Sequence, residues 1–321
     1  MAVYTSVDPD DLAALVARYD IGTVQSCKGI AEGVENSNFL LETSGGRFIL
    51  TLYEKRVSEG DLPFFVDLLA HLARSGCPVP AMIADREGKA IQRISDRAAC
   101  IIQFLPGISL THPNGAQCEA AGAALGAMHK ALAAYEGARD NSMGHAQWRA
   151  VAAGAGDLDS VLPGLDAIVT DELAYLDAHW PSGLPAHVIH ADLFPDNVLM
   201  LGDRVTGLID FYFAATDFRA YDLAVTHAAW TFSDDGQSCD PALAQGLMRG
   251  YASDVTLTDA EIAAMPIFAR GASLRFLLTR AHDWLHTPAD ALVTRKDPLP
   301  FLNRLKRYQQ ADAADLFDGL A

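Results

Sequence analysis

His190-Ala191-Asp192-Leu193-Phe194-Pro195-Asp196-Asn197, followed closely by Leu208-Ile209-Asp210-Phe211-Tyr212, decides how this chain is read. The pattern predicts a strand (187–189), a tight loop, a short strand (198–201), a hairpin at Gly202-Asp203 and a strand (205–209) that ends in an acid. That order brings Asp192, Asn197 and Asp210 together at the mouth of one small sheet. An Asp able to take a hydroxyl proton, with an Asn and an Asp whose oxygens suit Mg²⁺, is the working set of a phosphoryl-transfer site. Spacing gives the pattern its weight: His-x-Asp, four residues, Asn, and then an Asp 13 positions after that Asn. The plain alternative is a surface hairpin with Asp and Asn as turn residues, and Asp196 and Asp203 are read as no more than that.

Bulk properties narrow the class. A chain of 321 residues suggests about two domains, and 50% hydrophobic residues supply a sizeable core. Lys and Arg number 24 against 41 Asp and Glu, a net charge of −17, which argues against a nucleic-acid partner. Residues 1–105 carry 10 basic and 14 acidic side chains, so most of the excess lies in 106–321. The simplest account of it is solvated helix faces. Five scattered cysteines (Cys27, Cys77, Cys100, Cys118, Cys239) form no metal or disulfide spacing and fit a reducing compartment. With no signal-like N-terminus and no apolar stretch of 18 residues, a cytoplasmic protein without a membrane span is expected.

Upstream of the central stretch, a short capped helix (8–19) precedes strands at 24–27, 37–42 and 47–53, with Ser44-Gly45-Gly46 as a hairpin turn. Between the first two strands, Gly29 and Gly33 bracket a loop whose backbone N–H groups are able to face phosphate oxygens. Taken by itself the loop reads as a plain hairpin, and the later constellation gives it weight as a nucleotide cover. A helix over 62–75 and strands at 90–94 and 98–104 follow, and Pro106-Gly107 breaks the chain. This predicts a five-stranded first lobe (1–105) with one main helix. Gln103-Phe104-Leu105 is the strip whose backbone would bond an adenine edge, an ordinary strand end being the alternative. The second lobe (106–321) is predicted to be mostly helical, with helices at 117–135, 166–179, 241–251, 258–268 and 270–285 and another beginning at Tyr221-Asp222. His129 is read as a hydrogen-bonded core residue, and Asp222 as a helix cap or a support for the loop at His190. Arg270, Arg275 and Arg280 interrupt an apolar helix, and a buried guanidinium needs an anionic partner. The usual one is a protein carboxylate. The other is a substrate carboxylate, for which Arg275 is the candidate.

Taken together these pieces resemble the homoserine kinases that share the aminoglycoside-phosphotransferase and choline-kinase fold. The resemblance covers nearly the whole chain. It is carried by the segment from Gly29 to Phe39, Asp61-Leu62-Pro63-Phe64-Phe65, the two central motifs, Tyr221-Asp222-Leu223-Ala224 and Leu274-Arg275-Phe276. It implies a two-lobed, protein-kinase-like α+β fold. It also implies ATP with Mg²⁺ as donor, L-homoserine as acceptor, and a place in threonine biosynthesis. Matched position by position, Asp192 is the catalytic acid that handles the acceptor hydroxyl, and Asn197 and Asp210 hold the metal. The nucleotide falls to Gly29, Gly33, Asn36, Asn38, Lys55, Gln103 and Leu105. Where many relatives carry a phosphate-binding lysine in the third strand, this chain has Thr51. Lys55 lies on the same face roughly 13 Å further along, and Lys28 is a rival. Phe65 stands near the place of that lysine's usual glutamate partner, with Asp61 and Asp67 the nearby acids. The competing readings are a phosphotransferase for another hydroxyl compound, of aminoglycoside or choline type, and a nucleotide-binding regulator without catalysis.

Overall fold

The computed structural model describes residues 5–30, 36–54, 57–287, 295–310 and 312–320. The chain divides into two compact units, Met1–Pro106 and Gly107–Ala321.

Helix α1 (Pro9–Val16) opens the first unit. Asp8 caps it, accepting from the N–H groups of Asp10 and Asp11, and Leu12, Leu15 and Val16 turn inward. Strands β1 (Val24–Gly29), β2 (Ser37–Thr43) and β3 (Gly46–Leu52) form an antiparallel meander joined at its second corner by Ser44-Gly45. Side chains of β2 alternate strictly between buried and half-buried, the period-2 signature of a sheet with one covered face. Helix α2 (Leu62–Arg74) buries Leu62, Phe65, Leu68, Leu69 and Leu72 at helical spacing. Strands β4 (Met82–Ile83), β5 (Gln92–Ile94) and β6 (Arg97–Gln103) complete an antiparallel sheet of order β1-β2-β3-β6-β4, with β5 also on β6. Among the described residues the sheet therefore has six strands rather than the expected five. The additional one is the two-residue β4 opposite Ile102 and Ile101, too short to carry an alternating pattern. Its core gathers Leu41, Leu50, Leu52, Ile94 and Ile101 against Leu12, Leu15 and Val16 of α1.

In the second unit α3 (Gly115–Leu132) starts with a reciprocal capping box between Asn114 and Gln117. Then come α4 (Trp148–Ala155), α5 (Leu165–His179), β7 (Ala186–Ile189), β8 (Val198–Leu201), β9 (Arg204–Leu208), β10 (Ala215–Phe218), α6 (Arg219–Trp230), α7 (Pro241–Ala252), α8 (Asp259–His286) and α9 (Leu299–Tyr308). The small strands make two ribbons instead of one sheet: β8 pairs with β9, whereas β7 pairs with β10. The chain entering this unit is tied to β8 by paired backbone bonds between Ile108 and Met200, at 3.0 and 2.9 Å.

Helix α8 runs unbroken where two helices were expected: Ala269 at the junction is a strong helix former, and the helix continues through Pro266, which removes one ladder N–H. It also amends the expectation about apolar runs. An 18-residue window within it reaches a mean hydropathy of 1.3, enough by length and composition to cross a bilayer. With 67% of that window buried inside the protein, α8 is a core helix.

Helices α3 and α7 approach at backbone contact. A Cβ on Gly122 would stand 2.1 Å from the Leu247 carbonyl oxygen, and one on Gly250 would stand 1.9 Å from that of Glu119. Only glycine permits this approach, and it carries Tyr251 of α7 to within hydrogen-bond reach of His129 on α3.

Candidate active site

The loop after β7 is held at almost every residue. The N–H groups of His190 and Ala191 both donate to the buried carboxylate of Asp222, at 2.8 and 2.7 Å. The Ala191 carbonyl accepts from Nη1 of Arg275. The N–H of Asp192 donates to Nδ1 of His190 at 3.3 Å, and the Leu193 carbonyl accepts from the indole Nε1 of Trp230 at 2.8 Å. A 3₁₀ turn, Pro195–Asn197, then swings Asn197 back. Its Nδ2 donates to the carbonyl of Asp192 at 2.8 Å and to the Asp192 carboxylate at 3.2 Å.

The end of β9 is sewn to the same loop. Ile209 N–H donates to the Asn197 carbonyl, and the Ile209 carbonyl accepts from Nε2 of His190, each at 3.0 Å. Asp210 is the next residue, so Asp192, Asn197 and Asp210 share one bonded frame. His190 accepts at Nδ1 and donates at Nε2, which assigns a neutral imidazole protonated on Nε2. Complete burial agrees with this, holding the His190 pKa below the usual histidine range.

Backbone strain converges on the same place. Among the described residues four non-glycines have positive φ. Ser95 and Asp96 occupy the two-residue hairpin turn between β5 and β6, where such angles are ordinary. The other two are Ala191, at φ 63°, and Asp210, at φ 65°. They flank the constellation, one before Asp192 and one at the end of β9. A non-glycine in this region persists only where its surroundings over-determine it.

Behind the loop lies a buried relay. Asp222 accepts from Nε2 of His129 at 2.9 Å, and His129 Nδ1 meets the Tyr251 hydroxyl at 2.9 Å. Burial alone would push the Asp222 carboxyl up. The hydrogen bond from His129 and those from the loop amides outweigh it and hold the pKa below the ordinary value. Asp222 is thus a permanent anion whose two oxygens fix His190 and Ala191, the second of the two roles the sequence left open for it. His129 is a core residue, as expected, and it orients that anion.

The three arginines of α8 meet three different fates. Arg270 forms a two-pronged pair with Glu172, at 2.7 and 2.6 Å, and lies over the Tyr175 ring. Arg275, 3% exposed, meets a backbone carbonyl in place of a carboxylate, and its Nε has no hydrogen-bond partner. Arg280 lies over the Phe301 ring and donates to the Asp297 carbonyl at 3.3 Å. Arg304 of α9 lies over the same Phe301 ring, at 4.3 Å.

In the first unit, Gly29 ends β1 opposite Phe39. Asn36 is buried, its Oδ1 accepting from Glu54 N–H at 3.3 Å. Asn38 accepts from the Thr51 hydroxyl at 2.7 Å, so the residue at the lysine-equivalent position is engaged inside the sheet. Phe65 is buried on the core face of α2, and Asp67 is exposed. Gln103 closes β6 in the last ladder pair, with Phe48, and Leu105 follows beyond it. Gly33 and Lys55 lie outside the described residues.

Residues 26–263 match the model of the phosphotransferase enzyme family, about three-quarters of the chain. The chain belongs to the phosphotransferase enzyme family. This phosphotransferase is 50% identical over 322 residues to a homoserine kinase of Xanthobacter autotrophicus, covering 100% of both chains. It is 49% identical over 314 residues to a homoserine kinase of Gluconobacter oxydans, covering 97% and 99%. Among solved structures it resembles an amicoumacin kinase, with a TM-score of 0.70 at 17% identity over 96% of this chain and 93% of that one. It also resembles a spectinomycin phosphotransferase, with a TM-score of 0.67 at 13% identity over 98% and 99%. These likenesses show the fold, an α+β architecture of protein-kinase-like phosphotransferases with an antiparallel sheet in the first unit and a mostly helical second unit.

Proposed function

We propose that the chain is a homoserine kinase, which transfers the γ-phosphoryl group of ATP to the hydroxyl of L-homoserine and yields O-phospho-L-homoserine. The observation that carries the acceptor is full-length identity near 50% with homoserine kinases, over both chains at once. Family membership supports use of ATP. The reading places the enzyme in threonine biosynthesis and in the cytoplasm.

In this reading Asp192 takes the proton of the acceptor hydroxyl and aims its oxygen in line with the phosphorus. Asn197 holds the Asp192 carboxylate in place through Nδ2, which turns its own Oδ1 away from Asp192. That oxygen and the Asp210 carboxylate are the metal donors. Both are hard oxygen ligands. Among the described residues no cluster of three or more His, Cys, Asp and Glu is gathered as a cage. A pair of oxygen donors completed by phosphates and water suits Mg²⁺, which rarely takes an all-protein site. When bound, Mg²⁺ would neutralise charge developing on the phosphate oxygens. The nucleotide is assigned to Gly29, Gly33, Asn36, Asn38, Lys55, Gln103 and Leu105. The rigid loop supplies positioning, which is most of what phosphoryl transfer asks of a protein.

A coupled ADP-release assay over a panel of acceptors tests the proposal. L-homoserine is expected to give the highest kcat/KM, ahead of choline, aminopropanol and aminoglycosides. A higher value for any of these, or ATP binding with no ADP release across the panel, would overturn it.

A further inference from the structure

Arg280 and Arg304 stand on one aromatic ring. Their guanidinium carbons lie 4.5 and 4.3 Å from the Phe301 centroid. Arg304 is 7% exposed, and its Nε is buried without a hydrogen-bond partner. Among the described residues neither guanidinium has a carboxylate within 4.0 Å. Two cations on one ring repel each other, and a ring face offsets only part of that cost. Asp196, Asp192 and Asp297 around Arg280, and Asp234 and Asp235 around Arg304, answer them only from beyond ion-pair distance, which leaves both guanidinium groups open to a closer anion.

The pair lies beside the reacting centre. Phe301 packs on Phe276 and Phe194, and Phe194 belongs to the loop that carries Asp192. Lys296 is on the same patch, bonded to Asp196 at 3.1 Å. Burial and the neighbouring Arg304 push the Arg280 pKa down to about 10, while the carboxylates of Asp196, Asp192 and Asp297 oppose that shift. Arg280 also lies 6.0 Å from the Phe194 ring, two residues along the loop from Asp192. In an extended four-carbon hydroxy amino acid the hydroxyl oxygen and the carboxylate carbon are separated by roughly 5 Å. That span, and the packing of Arg280 and Phe301 on Phe194 of the same loop, make this patch the cationic group to ask for the carboxylate of an acceptor whose hydroxyl is on Asp192.

We infer that Arg280 and Arg304 form the subsite for the acceptor's α-carboxylate, gripping it with two guanidinium forks against Phe301. The inference rests on the kinase reading above and moves the carboxylate role away from Arg275, whose Nη1 already donates to the Ala191 carbonyl. Arg280 and Arg304 set specificity: they select an amino acid over the corresponding amino alcohol and take no part in moving the proton.

The test compares L-homoserine with 2-amino-1,4-butanediol, in which a CH₂OH group replaces the carboxylate, on wild type, Arg280→Gln, Arg304→Gln and the two Arg→Lys variants. Each Gln variant is expected to lose about 10- to 100-fold in kcat/KM for homoserine, through KM, because it removes a charged hydrogen-bond donor. The loss for the diol should stay below about threefold, with the Lys variants intermediate for homoserine. Equal losses on both acceptors, or a parallel rise in the KM for ATP, would overturn the subsite. Should the Gln variants fail to fold, the Lys variants and the wild-type preference decide, and a wild type that does not favour homoserine over the diol also overturns it. A wild type that phosphorylates neither compound defeats the homoserine-kinase reading itself, and the subsite with it.

Discussion

Asp222 Oδ1 accepts the N–H of Ala191 at 2.7 Å, and Ala191 is held there in a left-handed conformation immediately before Asp192. The carboxylate thus sustains the bend that presents Asp192. Asp222→Asn keeps one acceptor oxygen but turns an NH₂ toward an N–H. A misplaced reacting group costs on the order of 100-fold, and that is the fall expected in kcat, with a smaller change in either KM. Breaking a buried charged network should also remove about 3–5 kcal/mol of stability. Steady-state kinetics beside thermal melting checks both. An unchanged kcat in a folded Asp222→Asn protein would show that the bend does not need the anion.

Asp192→Asn is a different kind of change, since the amide preserves shape and removes the base. Turnover should drop by about 10²- to 10⁴-fold, the usual worth of general base catalysis. Melting temperature and ATP binding by calorimetry should stay near wild type. A variant that phosphorylates homoserine at the wild-type rate would remove Asp192 from its role.

Arg275 separates loop support from acceptor binding. Its Nη1 donates to the carbonyl of Ala191, the residue whose N–H donates to Asp222. Arg275→Lys should therefore depress kcat about tenfold or more for every acceptor alike, as loss of a charged hydrogen bond to a positioning contact implies. Homoserine and the carboxylate-free diol measured in parallel decide the matter. A selective rise in the homoserine KM would hand the carboxylate back to Arg275.

Much of this was legible in the residues, and the gaps have physical causes. The central motif declared itself because its chemistry demands fixed residue types at fixed separations. The hydrophobic spacing of α2 and the alternation of β2 did the same for the first unit. Strand β4 has two residues and therefore no period to detect. Helix α9 was missed because Pro298 and Pro300 look like breakers, although Pro belongs in a helix's first turn and Phe301, Leu302, Leu305 and Tyr308 mark its buried face. β10 pairs with β7 across 25 intervening residues, 190–214, a long-range contact that local pattern does not report. An arginine in an apolar run shows only that some partner must exist. The sequence could not say that Arg270 would find a carboxylate, Arg275 a carbonyl and Arg280 a ring.

The crossing of α3 and α7 supports the loop from a distance. Gly250→Ala would drive a Cβ into the Glu119 carbonyl at 1.9 Å and force two backbones apart. The expected cost is about 3 kcal/mol, at the upper end for overpacking. Activity should fall too, since the Tyr251–His129–Asp222 relay crosses that contact. Gly154→Ala is the control: nothing lies within 4 Å of the added methyl, and a helical Ala should stabilise by about 0.5–1 kcal/mol. Denaturant unfolding of both variants measures the difference in sign.

Acid should unfold this protein from just below pH 6.5, before most carboxylates titrate. His227 is buried and His187 half-buried, both as neutral rings, with pKa values pushed down by desolvation to about 3 and about 4, and buried His190 is shifted in the same direction. The folded pKa lies below the unfolded one, so the unfolded chain binds protons first. The stability involved is fully present above about pH 6.5 and is lost as pH falls toward the folded values. Each fully buried histidine contributes a slope of about 1.4 kcal/mol per pH unit in that window, and the less buried His187 contributes less. His227, whose Nδ1 meets the Tyr308 hydroxyl at 2.6 Å, is the one to remove. His227→Gln should melt lower than wild type at pH 7.5, yet lose less on going to pH 5. Parallel melting curves across that range for the two proteins would show that His227 is not a source of the acid sensitivity.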